Sequence, residues 1–230
     1  MTYNVIIPAR NEAVTVASVV QAARKAPNAA RVIVVDDHSS DETGRAAAAA
    51  GAEVVLSRGR GKAVALATGV EASDSPLLVF FDADITTPEP GHFEALAAPV
   101  AAGRFVMCCG IIDYGPLRNP IFLRLPPITG LRALRRDIFT AIPESCLNGF
   151  QIEIMINEVV ARGCMPAAIR ILEGAGHRSK VEKVGFVRGA IAHMAMTAEL
   201  LQCLTFVPLW TYRAYLQNLT VLPVNKAGGA

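Results

Sequence analysis

The chain has almost no excess of charge of either sign: 22 basic residues face 20 acidic ones, a formal net charge of +2. Aromatic residues are scarce at 6%, with a single tryptophan. A nucleic-acid binder needs a basic face and usually stacking rings, so no nucleic-acid partner is expected. Long hydrophobic runs are missing too. No stretch reaches the roughly 20 apolar residues of a membrane-spanning helix. The nearest, residues 189–212, is broken by Glu199, Gln202 and Pro208. Five cysteines (Cys108, Cys109, Cys146, Cys164 and Cys203) are odd in number and form no C-x-x-C pair. That pattern argues against a disulfide framework or a zinc ribbon and predicts reduced, mostly buried thiols. Residues 1–4 run straight into a strand-like segment without a leader pattern, so the expected location is cytoplasmic.

What the chain does have is apolar mass. Hydrophobic residues make up 52% and charged residues 18% of 230 residues, enough for one α/β domain with a short appendage and too apolar for disorder. The first half alternates regularly. Residues 5–7, 31–35, 53–56, 77–81 and 105–111 are short apolar, β-branched runs. Between them, residues 15–26, an alanine-rich stretch ending at Ala50, residues 62–72 and residues 91–102 read as helices. This order implies a mostly parallel sheet with helices on both faces, whose ligands bind beyond the carboxyl ends of the strands. The second half is less regular. Residues 113–128 read as a long loop, 134–141 and 151–161 as helices, and 168–172 as a last strand. Residues 186–222 read as mostly helical. The expected division is a catalytic domain over 1–185 and a helical segment with a tail over 186–230, whose apolar stripe predicts packing on the domain, a homo-oligomer or peripheral membrane contact.

The strand ends carry the polar groups. Pro8, Ala9, Arg10, Asn11 and Glu12 follow the first strand, and Asp36, Asp37, His38, Ser39 and Ser40 the second. Gly61 and Lys62 open the helix after the third, and Asp82, Ala83 and Asp84 end the fourth. Two aspartates two residues apart at a strand end point the same way. They suit Mg²⁺ or Mn²⁺ shared with a phosphate-bearing substrate. A glycine and a lysine at a helix start suit a phosphate, although the Walker A spacing is absent. Asp36 and Asp37 can accept from a base N–H or a ribose hydroxyl, or can cap the following helix.

In this order and spacing, VIIPARNEA, VVDDHSSDET, the glycine-flanked lysine and FFDAD resemble glycosyltransferase family 2, with the GT-A fold, over about residues 3–185. The resemblance implies a nucleotide-diphosphate sugar donor and a divalent metal. It implies that Pro8, Ala9, Arg10 and Glu12 line the nucleoside pocket, that Asp37, with Asp36, binds base or ribose, and that Gly61 and Lys62 lie near the nucleotide. It makes Asp82, Ala83 and Asp84 the D-x-D site. His38 stands where the family has glycine or asparagine. Thr129 to Arg136 resembles the S-G-F-x-A-x-R-R segment of dolichyl- and polyprenyl-phosphate sugar synthases, and Asn148 to Ile154 their G-x-x-F-Q-x-E-x segment. That branch implies acceptor contacts at Arg118, Arg124, Thr129, Gly130, Arg132 and Gln151.

His177 lies in a polar, glycine-flanked stretch. It is either a third metal ligand or an exposed loop histidine, and Arg178 and Lys180 beside it suit a diphosphate. Glu153 is the candidate general base for transfer to a hydroxyl, with Asp84 the second catalytic residue; the family implies inversion at the anomeric carbon. A phosphate acceptor would need no base. The expected activity is metal-dependent glycosyl transfer, with polyprenyl phosphate as acceptor. The alternatives are a soluble nucleoside, natural-product or glycerate-type hydroxyl and, less favoured, nucleotidyl transfer, for which no G-x-G-x-R-type loop follows the first strand.

Overall fold

The structure, a computed structural model, describes residues 1–124, 127–147, 152–176 and 209–223. Strands β1 (Tyr3–Ala9), β2 (Ala29–Asp36), β3 (Glu53–Leu56) and β4 (Leu77–Phe80) alternate with helices α1 (Val16–Arg24), α2 (Thr43–Ala49) and α3 (Lys62–Ala72). There follow α4 (Pro90–Ala101), β5 (Met107–Ile112), α5 (Asn119–Phe122), β6 (Arg132–Arg135), α6 (Arg136–Thr140), α7 (Ile152–Arg162), β7 (Ala167–Leu172), α8 (Leu209–Gln217) and β8 (Leu219–Val221).

These strands form one sheet in the order β3-β2-β1-β4-β6-β5-β7-β8. Only β6 runs antiparallel to its neighbours. The α/β sheet expected from the sequence is therefore present, with two additions. Residues 132–135 form a strand where the sequence reading starts a helix at Leu134, and that helix begins at Arg136 instead. Arginines at both ends of RALR conceal a buried strand, because a charged residue marks a surface position in any periodicity reading. Inside the expected loop over 113–128, α5 is a single short helix that buries none of its residues.

Alternation along β1 divides the core. Val5 and Ile7 face α1 and α4, with Val16, Val19, Phe93 and Leu96. Ile6 faces α3 and α7, with Leu66, Val70, Ile152 and Ile156. Full burial of each such side chain contributes about 1.5–3 kcal/mol. On the second face α3 lies close to β1 because residue 69 is glycine: a Cβ there would stand 2.4 Å from the Ile6 side chain.

The described part of the C-terminal segment is built into this domain. Helix α8 packs on α7, its Tyr215 is 2% exposed, and β8 pairs with β7. Residues 177–208 of the expected domain boundary and helical stripe lie outside the described residues. No described helix is long and apolar enough to cross a membrane.

Candidate active site

Sequence order reverses between β1 and β4, the place where open α/β sheets bind ligands beyond their carboxyl ends. The loops there are fastened to one another by main-chain groups. The amide of Asn11 donates to Ser39 Oγ, and Asn11 Oδ1 accepts from the Ser40 amide at 2.8 Å. The Glu12 amide donates to Thr43 Oγ1 at 2.8 Å, and Thr15 Oγ1 donates to Glu12 Oε2. His38 takes φ 54° and Asn11 φ 56°. His38 thus adopts a left-handed conformation that glycine and asparagine take more readily than other residues.

Asp37 is buried, and both its carboxylate oxygens accept from the Gly61 amide, at 3.1 and 3.0 Å. The Arg10 guanidinium lies 3.9 Å away and is half exposed. Asp37 therefore joins the ends of β1 and β2 to the start of α3. Gly61, at φ 105°, supplies a backbone conformation that other residues rarely take. The expectation that this amide faces a phosphate is corrected here, because the Asp37 carboxylate occupies it. Asp36 accepts from the Ser39 amide at 2.8 Å within the loop and faces Gly44 of α2, but it does not cap that helix: the Thr43 amide at the start of α2 donates to Asp41 Oδ1 at 3.0 Å.

Lys62 does not project as a lone positive charge. Its Nζ lies 2.8 Å from Asp82 Oδ1 and 2.9 Å from Glu153 Oε1, joining β4 to the first turn of α7. Burial pulls the lysine pKa down, but the charges and hydrogen bonds of Asp82 and Glu153 outweigh it and hold Lys62 above its ordinary range. Lys62 is therefore a fixed cation at neutral pH and no proton acceptor. Glu153 is 4% exposed, and its Oε2 has no hydrogen-bond partner among the described residues. A buried, unpaired carboxylate oxygen is costly, and a substrate hydroxyl would satisfy it.

Asp82 and Asp84 are half-buried between buried Phe81, Ala83 and Ile85, beyond the end of β4, where residues 83–84 form a turn and the chain is no longer extended. An all-oxygen pair that leaves most positions to substrate and water fits Mg²⁺ or Mn²⁺. No group of three metal-ligating side chains assembles among the described residues, and His177, Arg178, Lys180 and Gln151 lie outside them.

The wall opposite is residues 127–131. Thr129 Oγ1 donates to the Gly110 carbonyl at 2.9 Å and accepts from the Leu131 amide. Gly130 lies flush against the ion bridge: a Cβ would stand 2.2 Å from Asp82 Oδ1 and 2.5 Å from Lys62 Nζ. Arg118 and Arg124 are exposed on either side of α5. Arg132, expected among the acceptor contacts, is 1% exposed and directs its guanidinium to main-chain carbonyls and Asn157 Oδ1 inside the fold rather than to the cleft. Sequence reasoning also missed the Lys62 bridge. The lysine and Glu153 are 91 positions apart, and no local pattern signals their meeting. A separate groove of about 650 Å³ lies at the opposite edge of the sheet, lined by Pro76, Leu77, Val100, Arg135 and Arg136. It contains none of the strand-end residues.

The family model described as Glycosyl transferase family 2 matches residues 4–153, about two thirds of the chain. Glucosyl-3-phosphoglycerate synthase of Mycobacterium tuberculosis (strain ATCC 25618 / H37Rv) is 26% identical over 218 residues, covering 78% of this chain and 67% of that protein. The crystal structure of the M. tuberculosis enzyme with Mg²⁺ and uridine diphosphate is similar with a TM-score of 0.66 at 27% identity, over 77% of this chain and 71% of that one. The structure with Mn²⁺, UDP-glucose and phosphoglyceric acid gives a TM-score of 0.64 at 26% identity, with the same coverage.

Proposed function

The chain belongs to glycosyl transferase family 2, and on that premise we propose that it moves a glucosyl group from UDP-glucose to the hydroxyl of a small, phosphate-bearing glycerate-type acceptor. The observation that carries this reading is the Asp82–Lys62–Glu153 bridge at the switch point of a GT-A sheet, with the second Glu153 carboxylate oxygen buried and without a partner among the described residues. The likeness to a synthase whose structures contain UDP-glucose, a divalent ion and phosphoglyceric acid supports the soluble acceptor over polyprenyl phosphate.

In this reading Pro8, Ala9, Arg10, Glu12 and Asp37 surround the nucleoside, Asp37 using lone pairs beyond those that meet Gly61. Asp82 and Asp84 would hold Mg²⁺ or Mn²⁺, with His177 as the third protein ligand. When bound, the cation offsets the charge of the departing diphosphate. Arg178 and Lys180 would face the same phosphates. Lys62 keeps Asp82 and Glu153 a fixed distance apart. Glu153 Oε2 accepts the hydrogen of a substrate hydroxyl, which for the attacking hydroxyl is general-base assistance. An inverted product is the outcome expected if Glu153 takes that proton; a retained configuration would make it a positioning group for the sugar.

A second reading keeps the donor and places the acceptor phosphate on a polyprenyl chain. It is favoured by Leu117, Ile121 and Ile128, which are 88%, 59% and 50% exposed beside Arg118 and Arg124. Such an apolar, basic rim suits peripheral contact with an anionic membrane face. The test is incubation with UDP-glucose and Mn²⁺ plus 3-phosphoglycerate, glycerol 3-phosphate or a polyprenyl phosphate. Glucosylated phosphoglycerate with stoichiometric UDP release supports the first reading. Product only with the lipid arm supports the second, and UDP-glucose left intact in all arms overturns both.

A further inference from the structure

The Arg132 guanidinium lies in the core without an ion-pair partner among the described residues; besides a 3.8 Å contact to Met107 Sδ, its hydrogen bonds go to two segments that wall the site. Its Nε donates to the Thr129 carbonyl at 3.0 Å and its Nη2 to the same oxygen at 2.5 Å, with the Pro127 carbonyl at 3.5 Å. Its Nη1 donates to the Glu153 carbonyl at 3.4 Å and to Asn157 Oδ1 at 3.3 Å. Asn157 completes the loop of contacts, since its Nδ2 donates to the Pro127 carbonyl at 2.9 Å. A buried charge is costly unless hydrogen-bonded, and here the compensating groups are the main chain of residues 127–129 and the first turn of α7. The first of those segments leads directly into Gly130, which abuts Asp82 and Lys62, and the second carries Glu153, which bonds Lys62.

We propose that Arg132 and Asn157 form an internal clamp that sets the distance between the Thr129–Gly130 wall and the Glu153 carboxylate, and so act as positioning residues for acceptor and sugar. This rests on the glycosyl-transfer reading of the site. Arg132 itself touches no substrate. A lysine there would retain the charge but not the planar fork that reaches both segments. A displacement of about 1 Å at a reacting group can lower the rate about 100-fold.

The decisive variant is Asn157→Asp. It keeps an acceptor for Arg132, now a carboxylate, and removes the donor to Pro127. The expected result is a thermal midpoint within about 4 °C of the parent. With it should come a kcat lowered about 10- to 100-fold, and faster hydrogen exchange at the amides of residues 129–131 than in β1 and β2. Arg132→Lys should give the same pattern with a larger rate loss. Unchanged kinetics and exchange in folded Asn157→Asp overturn the proposal. Uniform loss of protection across the sheet in both variants assigns the pair to folding alone and overturns it too. The exchange measurement needs no substrate. A parent enzyme that transfers nothing would break the functional reading, while the clamp would still be judged by its exchange signature.

Discussion

The two sides of the strand-end cleft are built by different means. On the β1–β2 side, the loops are fixed by several hydrogen bonds between main-chain amides and polar side chains: Asn11 to Ser39 and Ser40, Asp36 to Ser39, Asp37 to Gly61. On the β6–α7 side, the segments meet through two cations, half-buried Lys62 and buried Arg132. Lys62 is matched by two carboxylates, whereas Arg132 is matched by carbonyls and one amide. The first arrangement tolerates the loss of any one contact, because several neighbouring hydrogen bonds remain. The second concentrates the geometry in single side chains. Substitutions on the β6–α7 side should therefore move kinetics strongly, and stability as well where a counter-ion is removed, whereas those in the β1–β2 loops should move little unless they remove a group that meets substrate.

Asp84→Ala gives the largest expected effect. It removes one of two carboxylates available to the cation, and kcat should fall about 1000-fold or more. Stability should change little, since Asp84 is half-buried at the open edge. Turnover near that of the parent in Mn²⁺ would remove the D-x-D pair from the mechanism. Excess EDTA should reproduce the loss without any substitution.

Lys62→Met tests the other side directly. It leaves Asp82 and the buried Glu153 without their shared counter-ion, so transfer should be lost and unfolding free energy should drop by about 2–3 kcal/mol. The sign of the pH effect follows from a lysine pKa raised in the folded state. Its stabilisation is complete below the unfolded value of about 10.4 and is lost only as pH rises through the higher folded value. The difference in stability between parent and variant should therefore be flat from pH 7 to 9 by denaturant titration. A parent advantage that decays over that interval would mean that Lys62 is not the fixed cation described.

Gly130→Ala should act more weakly and more selectively. The added methyl must displace Asp82 or the Lys62 ammonium, each of which it would approach within 2.5 Å. A loss of about 10- to 100-fold in kcat is expected, with a melting point close to that of the parent. A silent alanine would show that this wall yields freely and would weaken the contrast between the two sides.

How far the sequence alone discloses this molecule follows the same division. Short apolar runs bounded by polar strand ends announce β1 to β4, and FFDAD announces where the chemistry sits, because each signal lies within a few residues. Helix α3 (Lys62–Ala72) is found at its observed bounds because a glycine precedes an apolar stripe. Strand β6 is hidden by its own arginines, and β8 is only three residues long inside the stretch 186–222 that reads as mostly helical. Arg132 reads as a phosphate ligand, since an arginine in sequence carries no mark of burial. The partners of Lys62 and Arg132 lie far along the chain, and only the fold brings them together.

The smallest expected effect belongs to the β1–β2 side, at His38. Its φ of 54° is a left-handed conformation that costs an ordinary residue about 1–2 kcal/mol. Glycine removes that cost, but it loses about 0.5–1 kcal/mol through greater freedom in the unfolded chain. The two terms nearly cancel, so His38→Gly should shift stability by less than about 1 kcal/mol, with kinetics unchanged. Valine adds β-branched crowding at the same φ, so His38→Val should destabilise by about 1–2 kcal/mol although the side chain is exposed. Thermal unfolding of the two variants side by side reads the difference. If valine is as harmless as glycine, the turn is free to change its backbone, and the fastening of this side of the site is looser than its hydrogen bonds to Asn11 and Asp36 imply.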